Sequence, residues 1–378
     1  MFANAVRLFD IMGFEIKVDP SWLIIAGLIV WSLSTAWFPM DVPGLTQATY
    51  VTASVIAMLG LFAGLILHEL SHSLMARRFN VRVGGITLFI FGGVAELDNE
   101  PESARSEFWI AIAGPAMSFA LAALFWVITG SASQLGAGDL TVSVLSYLST
   151  INLVLAIFNL VPAFPLDGGR ILRSALWHRK GDVVEATRIA SGAGTVFGYA
   201  LIAMGLLSLF SGGSVGGIWQ ILIGTFVVSA SRSTYRQVLF NASLKGLVVA
   251  DVMTRHPVTV APDMTLDRVV EEVMMRQGLS FLPVIAHGKV LGHVESAAIR
   301  TVEREKWPDL SAEDVMAPAS EATVVDPGLS TIKLLERMGQ AQRRKFIVAR
   351  NGELLGVVSL SDMLGHIEVM QLLGQQVR

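Results

Sequence analysis

A chain of 378 residues that is 53% hydrophobic and 16% charged, with a mean hydropathy of +0.58, has a membrane-protein composition and length to spare for a module outside the bilayer. It contains no cysteine, which excludes disulfides, thiolate metal sites and cysteine nucleophiles. A net charge of −3 leaves no electrostatic footprint for nucleic acid, so none is expected as a partner.

Lys and Arg are absent from Val18 to Ala76, from Ser106 to Gly169 and from Ile189 to Ser231. Each block can hold two helices of about 20 residues and a turn. Basic residues fall between and after the blocks: Arg77, Arg78, Arg82 and Arg105, then Arg170, Arg173, Arg179 and Lys180, then Arg232, Arg236 and Lys245. The positive-inside rule puts these on the cytosolic side and Asp41 and Asp139 in external loops. The expectation is six spans in three hairpins in the cell membrane, with both termini cytosolic. Arg7, Asp10, Glu15 and Lys17 interrupt the N-terminus, so no cleaved signal peptide is expected.

Residues 1–18 are amphipathic and suit the membrane interface, and Phe14 to Val18 alternates like a short strand. The first span follows Asp19-Pro20-Ser21 and runs from Trp22 to near Phe38. The second, about 52–76, carries His68-Glu69-Leu70-Ser71-His72. On a helix the two histidines stand one turn apart on one face and can reach a single cation. Glu69 projects from the flank, placed to take a proton from water held there. The alternative is a pair of core histidines beside a chance glutamate. Ionisable groups in lipid cost about 2.5–3.5 kcal/mol each on insertion scales, which favours the metal site.

Residues 84–97 hold a β-prone run, Ile86-Thr87-Leu88-Phe89-Ile90-Phe91, between two glycine pairs. It is too short to cross the bilayer as a helix, and reads as a re-entrant loop or hairpin shielded by protein, or as a cytosolic amphipathic loop. The third span, about 107–129, contains Gly114-Pro115-Ala116-Met117-Ser118, small residues that allow close helix approach. The fourth starts near 144 and ends in Asn159-Leu160-Val161-Pro162-Ala163-Phe164-Pro165-Leu166-Asp167-Gly168-Gly169-Arg170. Two prolines unwind the helix there, leaving a polar site or a turn capped by Asp167. A catalytic zinc takes three protein ligands plus water, and Asp167 can add an oxygen to the two imidazoles. Spans five and six, about 192–210 and 215–231, are glycine-rich and read as packing or gating helices.

Beyond Arg236 the composition turns to that of a soluble α/β unit. Asp251-Val252-Met253 recurs as Asp314-Val315-Met316, and Gly288 and Gly292 recur as Gly352 and Gly356. A period of roughly 60 residues seen twice indicates a paired module.

The His68–His72 and Asn159–Gly169 stretches together resemble the site-2 protease family of intramembrane zinc metalloproteases. Gly114-Pro115 and the glycine-bracketed loop share in that likeness, and the tail resembles a tandem CBS pair. The resemblance implies an α-helical polytopic membrane domain of six transmembrane helices with a re-entrant β element, then a soluble α/β tandem CBS pair. The implied boundaries are a metalloprotease domain at 1–235, a linker at 236–248, and CBS repeats at 249–305 and 306–378. It implies His68, His72 and Asp167 as ligands of one Zn2+ per chain, Glu69 as general base, and Asn159 as a group that positions substrate or stabilises the oxyanion. Residues 86–91 would pair with an extended, membrane-spanning protein substrate. Ser118 stands where the family often has Asn, and no role is assigned to it. In the tail, Ser359 and Asp362 match the family's contacts to an adenine nucleotide such as ATP. The matching first-repeat stretch, Gly292 to Ala298, lacks both the hydroxyl and the Asp, and Glu295 would repel phosphate. At most one nucleotide site is expected, or else the pair serves as a homodimerisation element.

An intramembrane serine protease would need a further histidine in the spans, and none exists. An aspartyl protease is suggested only by Gly136-Ala137-Gly138-Asp139, which falls in an external loop. The rival of another class is a CBS-regulated transporter or channel. That reading calls for repeated spans and charges along a path, which the sequence lacks.

Overall fold

Apolar runs with internally satisfied backbones fold as helices in lipid. In the computed structural model, which describes residues 5–90, 92–97, 101–211 and 216–372, five helices are long and apolar enough to span a bilayer. They are α1 (Trp22–Asp41), α2 (Gln47–Arg78), α3 (Ala104–Gln134), α4 (Asp139–Asn159) and, after the short α5 (Asp167–Lys180), α6 (Val183–Phe210). The chain is a multi-pass membrane protein. The predicted sixth span lies in α7 (Gly216–Leu244), which is not among those five. Its length suffices, and Gln220 and Arg232 fall within its apolar stretch.

Local chemistry sets the helix starts. The Thr46 hydroxyl accepts from the amide of Thr49 at the head of α2. Ser103 and Ser106 form a reciprocal cap on α3, and Asp182 accepts from the amides of Val184 and Glu185 on α6. Gly181, at φ +73°, closes α5 in the left-handed conformation.

The chain divides into two compact units, Met1–Val238 and Leu239–Arg378. In the first, β1 (Val6–Ile11), β2 (Phe14–Val18), β3 (Val83–Phe89) and β4 (Gly92–Leu97) form one sheet in that spatial order. β2 and β3 are parallel, and the other pairs are antiparallel. The alternation read at Phe14–Val18 is therefore a strand, and the glycine-bracketed run is a hairpin. Phe14, Ile16 and Ile86 pack on Leu70, and Leu88 packs on Phe62, so the sheet lies against α2.

The second unit carries a seven-stranded sheet built from β5 (Thr254–Arg255), β6 (Phe281–Ala286), β7 (Lys289–Glu295), β8 (Ala317–Pro318), β9 (Val324–Val325), β10 (Lys345–Arg350) and β11 (Glu353–Ser359). Each repeat sends its first short strand to the other repeat's hairpin: β5 pairs with β11, and β8 with β7. This exchange explains the recurring glycines. A side chain at Gly356 would meet the Thr254 carbonyl oxygen at 2.7 Å, and one at Gly292 would meet that of Ala317. Two large cores result, one around Leu266, Leu282 and Val294, the other around Leu334, Phe346 and Val358, with a smaller cluster of Phe281, Ile347 and Ala349 drawn from both repeats. Helix α7 runs through most of 236–248, and Leu244, Val249 and Val252 pack into the second of these cores.

Candidate metal centre

His68 and His72 lie on the buried face of α2, 2% and 5% exposed, where α3 crosses it. Helix α4 ends at Asn159, the chain passes Pro162 and Pro165 without regular structure, and Asp167 opens α5. That turn brings Asp167, 8% exposed, onto the two histidines. The Nε2 atoms of His68 and His72 are 3.2 Å apart, and Asp167 Oδ2 lies 3.2 Å from the first and 3.1 Å from the second. Among the described residues, this is the one group of three or more such side chains whose ligand atoms converge.

The outer nitrogens explain what the inner ones can do. His72 Nδ1 donates to the Ile110 carbonyl at 2.6 Å, and a carbonyl can only accept. The Nε2 of a neutral His72 is therefore a bare lone pair facing a second nitrogen and a carboxylate oxygen. His72 Nε2 and the Asp167 oxygen are two acceptors packed this closely, and they repel one another unless a cation or a proton lies between them. Their near-equilateral triangle with His68 Nε2 lets one ion sit about 2 Å from all three, the distance zinc takes to nitrogen and oxygen. The donor set, two imidazoles and one carboxylate with a position left for water, fits zinc. Gly114 makes room for it: a β-carbon there would stand 2.6 Å from Nε2 of His68.

Glu69 and Asn159, half-buried, line a cavity of about 260 Å³ together with His68, His72, Asp167 and Arg170. A larger, mostly apolar cavity of about 570 Å³ shares Glu69, Phe89, Asn159 and Phe226 with it. The residues expected to pair with substrate are divided by the fold. Ile86, Thr87 and Leu88 are 0–2% exposed in β3, which is flanked by β2 and β4, so their backbone is already paired on both sides. That expectation is corrected: an inner strand has no edge to offer. Phe89 lines both cavities and Ile90 the larger one, while Phe91 lies outside the described residues. The strand at the end of the sheet beside Glu69 is β4, whose Gly93 and Val94 line the metal cavity.

In the second unit, Ser359 and Asp362 meet at the head of α9, with α8 (Thr331–Ala341) before it and α9 spanning Leu360–Leu372. Asp362 Oδ2 accepts from the Ser359 amide at 2.7 Å and its hydroxyl at 2.6 Å, and Oδ1 accepts from Thr254 Oγ1 at 3.0 Å. Both carboxylate oxygens thus hold the helix cap and the exchanged strand. Glu295 is bound by Arg343 at 3.1 Å, beside a cleft of about 390 Å³ lined by Arg343, Arg344 and Lys345.

Sequence reasoning missed several supporting groups. Arg173 counted as a loop charge; it is 6% exposed, and its Nε donates to buried Glu107 at 2.6 Å while its Nη2 pairs with the same oxygen. The Ile110 carbonyl gives no side-chain signal at all. Ser118, left without a role, lies 2.9 Å from His68 Nδ1.

The model of peptidase family M50 matches residues 56–139 and 131–205, and the CBS-domain model matches 249–302 and 312–369. Rip3 of Mycobacterium tuberculosis is 35% identical over 371 residues, which cover 98% of this chain and 94% of Rip3. This chain belongs to peptidase family M50. A zinc metalloprotease of Methanocaldococcus jannaschii is 30% identical to it over 97% of each chain. The solved site-2 protease of that organism is 30% identical, covers 61% of this chain and 94% of its own, and superposes with a TM-score of 0.43. The resemblance read from the motifs holds: the M50 chain is a site-2-type metalloprotease followed by a tandem CBS pair.

Proposed function

We propose that this M50 peptidase hydrolyses peptide bonds within or near the transmembrane segments of membrane proteins, in regulated intramembrane proteolysis, with one zinc ion held by His68, His72 and Asp167. The observation that carries the reading is the convergence of two imidazole nitrogens and a carboxylate oxygen, all buried, beside Glu69 and among helices of membrane length. Zinc bound there supplies a polarised scissile carbonyl and a more acidic attacking water.

The chain's own groups do the rest. Glu69 takes the proton from the attacking water and hands it to the leaving nitrogen. The Asn159 side-chain amide, which lines the same cavity as Glu69 and Asp167, donates to the carbonyl oxygen as negative charge grows on it. An unwound substrate segment adds to the outer edge of β4, the last strand of the sheet among the described residues, which satisfies its released backbone, while Phe89 and Ile90 wall the apolar cavity that receives its side chains. Arg77 and Arg78 end the metal-bearing helix and Arg170 follows Asp167, which supports a cytosolic placement of the site, the termini and the CBS pair.

The CBS pair takes one adenine nucleotide, with Ser359 and Asp362 as its polar contacts. Titration of the full chain with ATP tests this: no shift in unfolding temperature at millimolar nucleotide leaves the pair as a dimerisation element.

The protease reading is tested by metal content and turnover together. Wild type is expected to hold about one zinc per chain, lost in His68→Ala and Asp167→Ala. Glu69→Gln is expected to keep its zinc and to lose cleavage of a membrane-spanning substrate captured with that variant. A folded wild type that binds no metal sinks the reading.

A further inference from the structure

One face of α3 carries Glu107, Ile110, Gly114 and Ser118 at spacings of three and four residues, and each meets the metal site or its support. Glu107 holds Arg173 of α5, the helix that Asp167 opens. The Ile110 carbonyl accepts from His72 Nδ1 at 2.6 Å, and Gly114 leaves space beneath both imidazoles. Ser118, 0% exposed, places its hydroxyl 2.9 Å from His68 Nδ1.

The two histidines are held differently. A carbonyl fixes the proton of His72 on Nδ1. A hydroxyl can donate or accept, so it leaves open which nitrogen of His68 carries the proton. If Ser118 donated, a neutral His68 would carry its proton on Nε2, aimed at the place a cation needs. If Ser118 accepts, Nδ1 carries the proton and the Nε2 lone pair joins those of His72 and Asp167, 3.2 Å from each.

We infer that Ser118 is a positioning residue for the metal site: its hydroxyl accepts the Nδ1 proton of His68, fixing both the tautomer and the ring orientation that present Nε2 to the ion. This rests on the reading that His68, His72 and Asp167 hold zinc. The ligand oxygen or nitrogen is not supplied by Ser118 itself, so its removal weakens the site without abolishing it. Groups that orient a metal-binding imidazole through its other nitrogen typically change metal affinity by about 10- to 100-fold.

The experiment uses the full chain in lipid nanodiscs, with zinc affinity measured by chelator competition and the visible spectrum of the cobalt-loaded protein as a reporter of ligand geometry. Ser118→Ala is expected to weaken zinc binding by about 10- to 100-fold, with the stoichiometry unchanged and the cobalt bands shifted. Because a small cavity could disturb the fold, the near-isosteric pair Ser118→Thr and Ser118→Val isolates the hydroxyl. Thr is expected to bind zinc as wild type does, within a few-fold, and Val to resemble Ala. Equal affinities in Thr and Val overturn the role of Ser118 while His68→Ala still abolishes binding. Metal binding that survives both His68→Ala and Asp167→Ala instead overturns the site on which the inference rests.

Discussion

A β-carbon on Gly114 would stand 2.6 Å from Nε2 of His68 and closer still to that of His72. Helix α3 therefore touches α2 at the two nitrogens that face Asp167, and no other residue type fits between them. Gly114→Ala must push both rings away or separate the helices. The expected result is a folded protein, by its unfolding transition, with at least tenfold weaker zinc binding. Wild-type zinc affinity in this variant would show that the helices can part without disturbing the site.

Gly93 makes the matching approach on the other side of the cavity, where a β-carbon would meet Glu69 Cγ at 2.8 Å. Glu69 is not one of the three converging side chains, so Gly93→Ala separates the proposed base from the proposed ligands. Turnover is expected to drop by about 10²-fold, in the range that general-base catalysis contributes, while zinc content stays at the wild-type level. Loss of zinc in Gly93→Ala would mean that β4 supports the ligands as well as the base.

The candidate metal site was legible because its chemistry is local: two histidines four apart on an apolar helix, and an aspartate after two prolines. What lay beyond reach depends on which helices cross. Ser118 is one of several serines in apolar helices, and only the α2–α3 crossing makes it a partner of His68. Charge counting by loop treats Arg173 as solvated, since burial beside Glu107 leaves no trace in the spacing of either residue. The β-prone run at 86–91 identified a strand, but propensity does not say which edges are taken, and β2 and β4 take both of β3's. The exchange of leading strands in the CBS pair was likewise hidden, although Gly292 and Gly356 marked where it occurs.

Arg173 and Glu107 form an ion pair through Oε1 with both partners under 10% exposed, and Glu107 Oε2 has no hydrogen-bond partner among the described residues. The Arg173 guanidinium also lies over the Phe164 ring, 5.1 Å from its centre, in the turn that delivers Asp167. Removing one partner strands a buried charge, a loss of about 3–5 kcal/mol, whereas replacing both with apolar residues is often nearly neutral. Arg173→Met alone is expected to destabilise the membrane unit by that amount. The double variant Glu107→Leu/Arg173→Met is expected to recover most of it. Denaturant unfolding in detergent measures both, and a double variant as weak as the single one assigns the loss to packing on Phe164.

His293 is 1% exposed in β7, stacked on Phe281 with ring centres 4.8 Å apart, and its Nε2 accepts from Arg343 at 2.7 Å. Burial first, and then the Arg343 charge, pull this imidazole below its ordinary value of 6.5; Glu295, 3.3 Å away, pulls the other way and loses. The unfolded chain therefore takes up a proton near the ordinary value, which the folded chain refuses until the pH is lower. The stability that His293 contributes is complete above its unfolded value and declines as the pH falls through the window beneath it, by at most about 1.4 kcal/mol per pH unit. In the full chain, the unfolding temperature of the CBS unit is expected to fall between about pH 7 and pH 5. His293→Gln keeps an oxygen for Arg343 but cannot titrate, so it is expected to flatten that slope. Identical slopes in wild type and variant would place the acid sensitivity on another group.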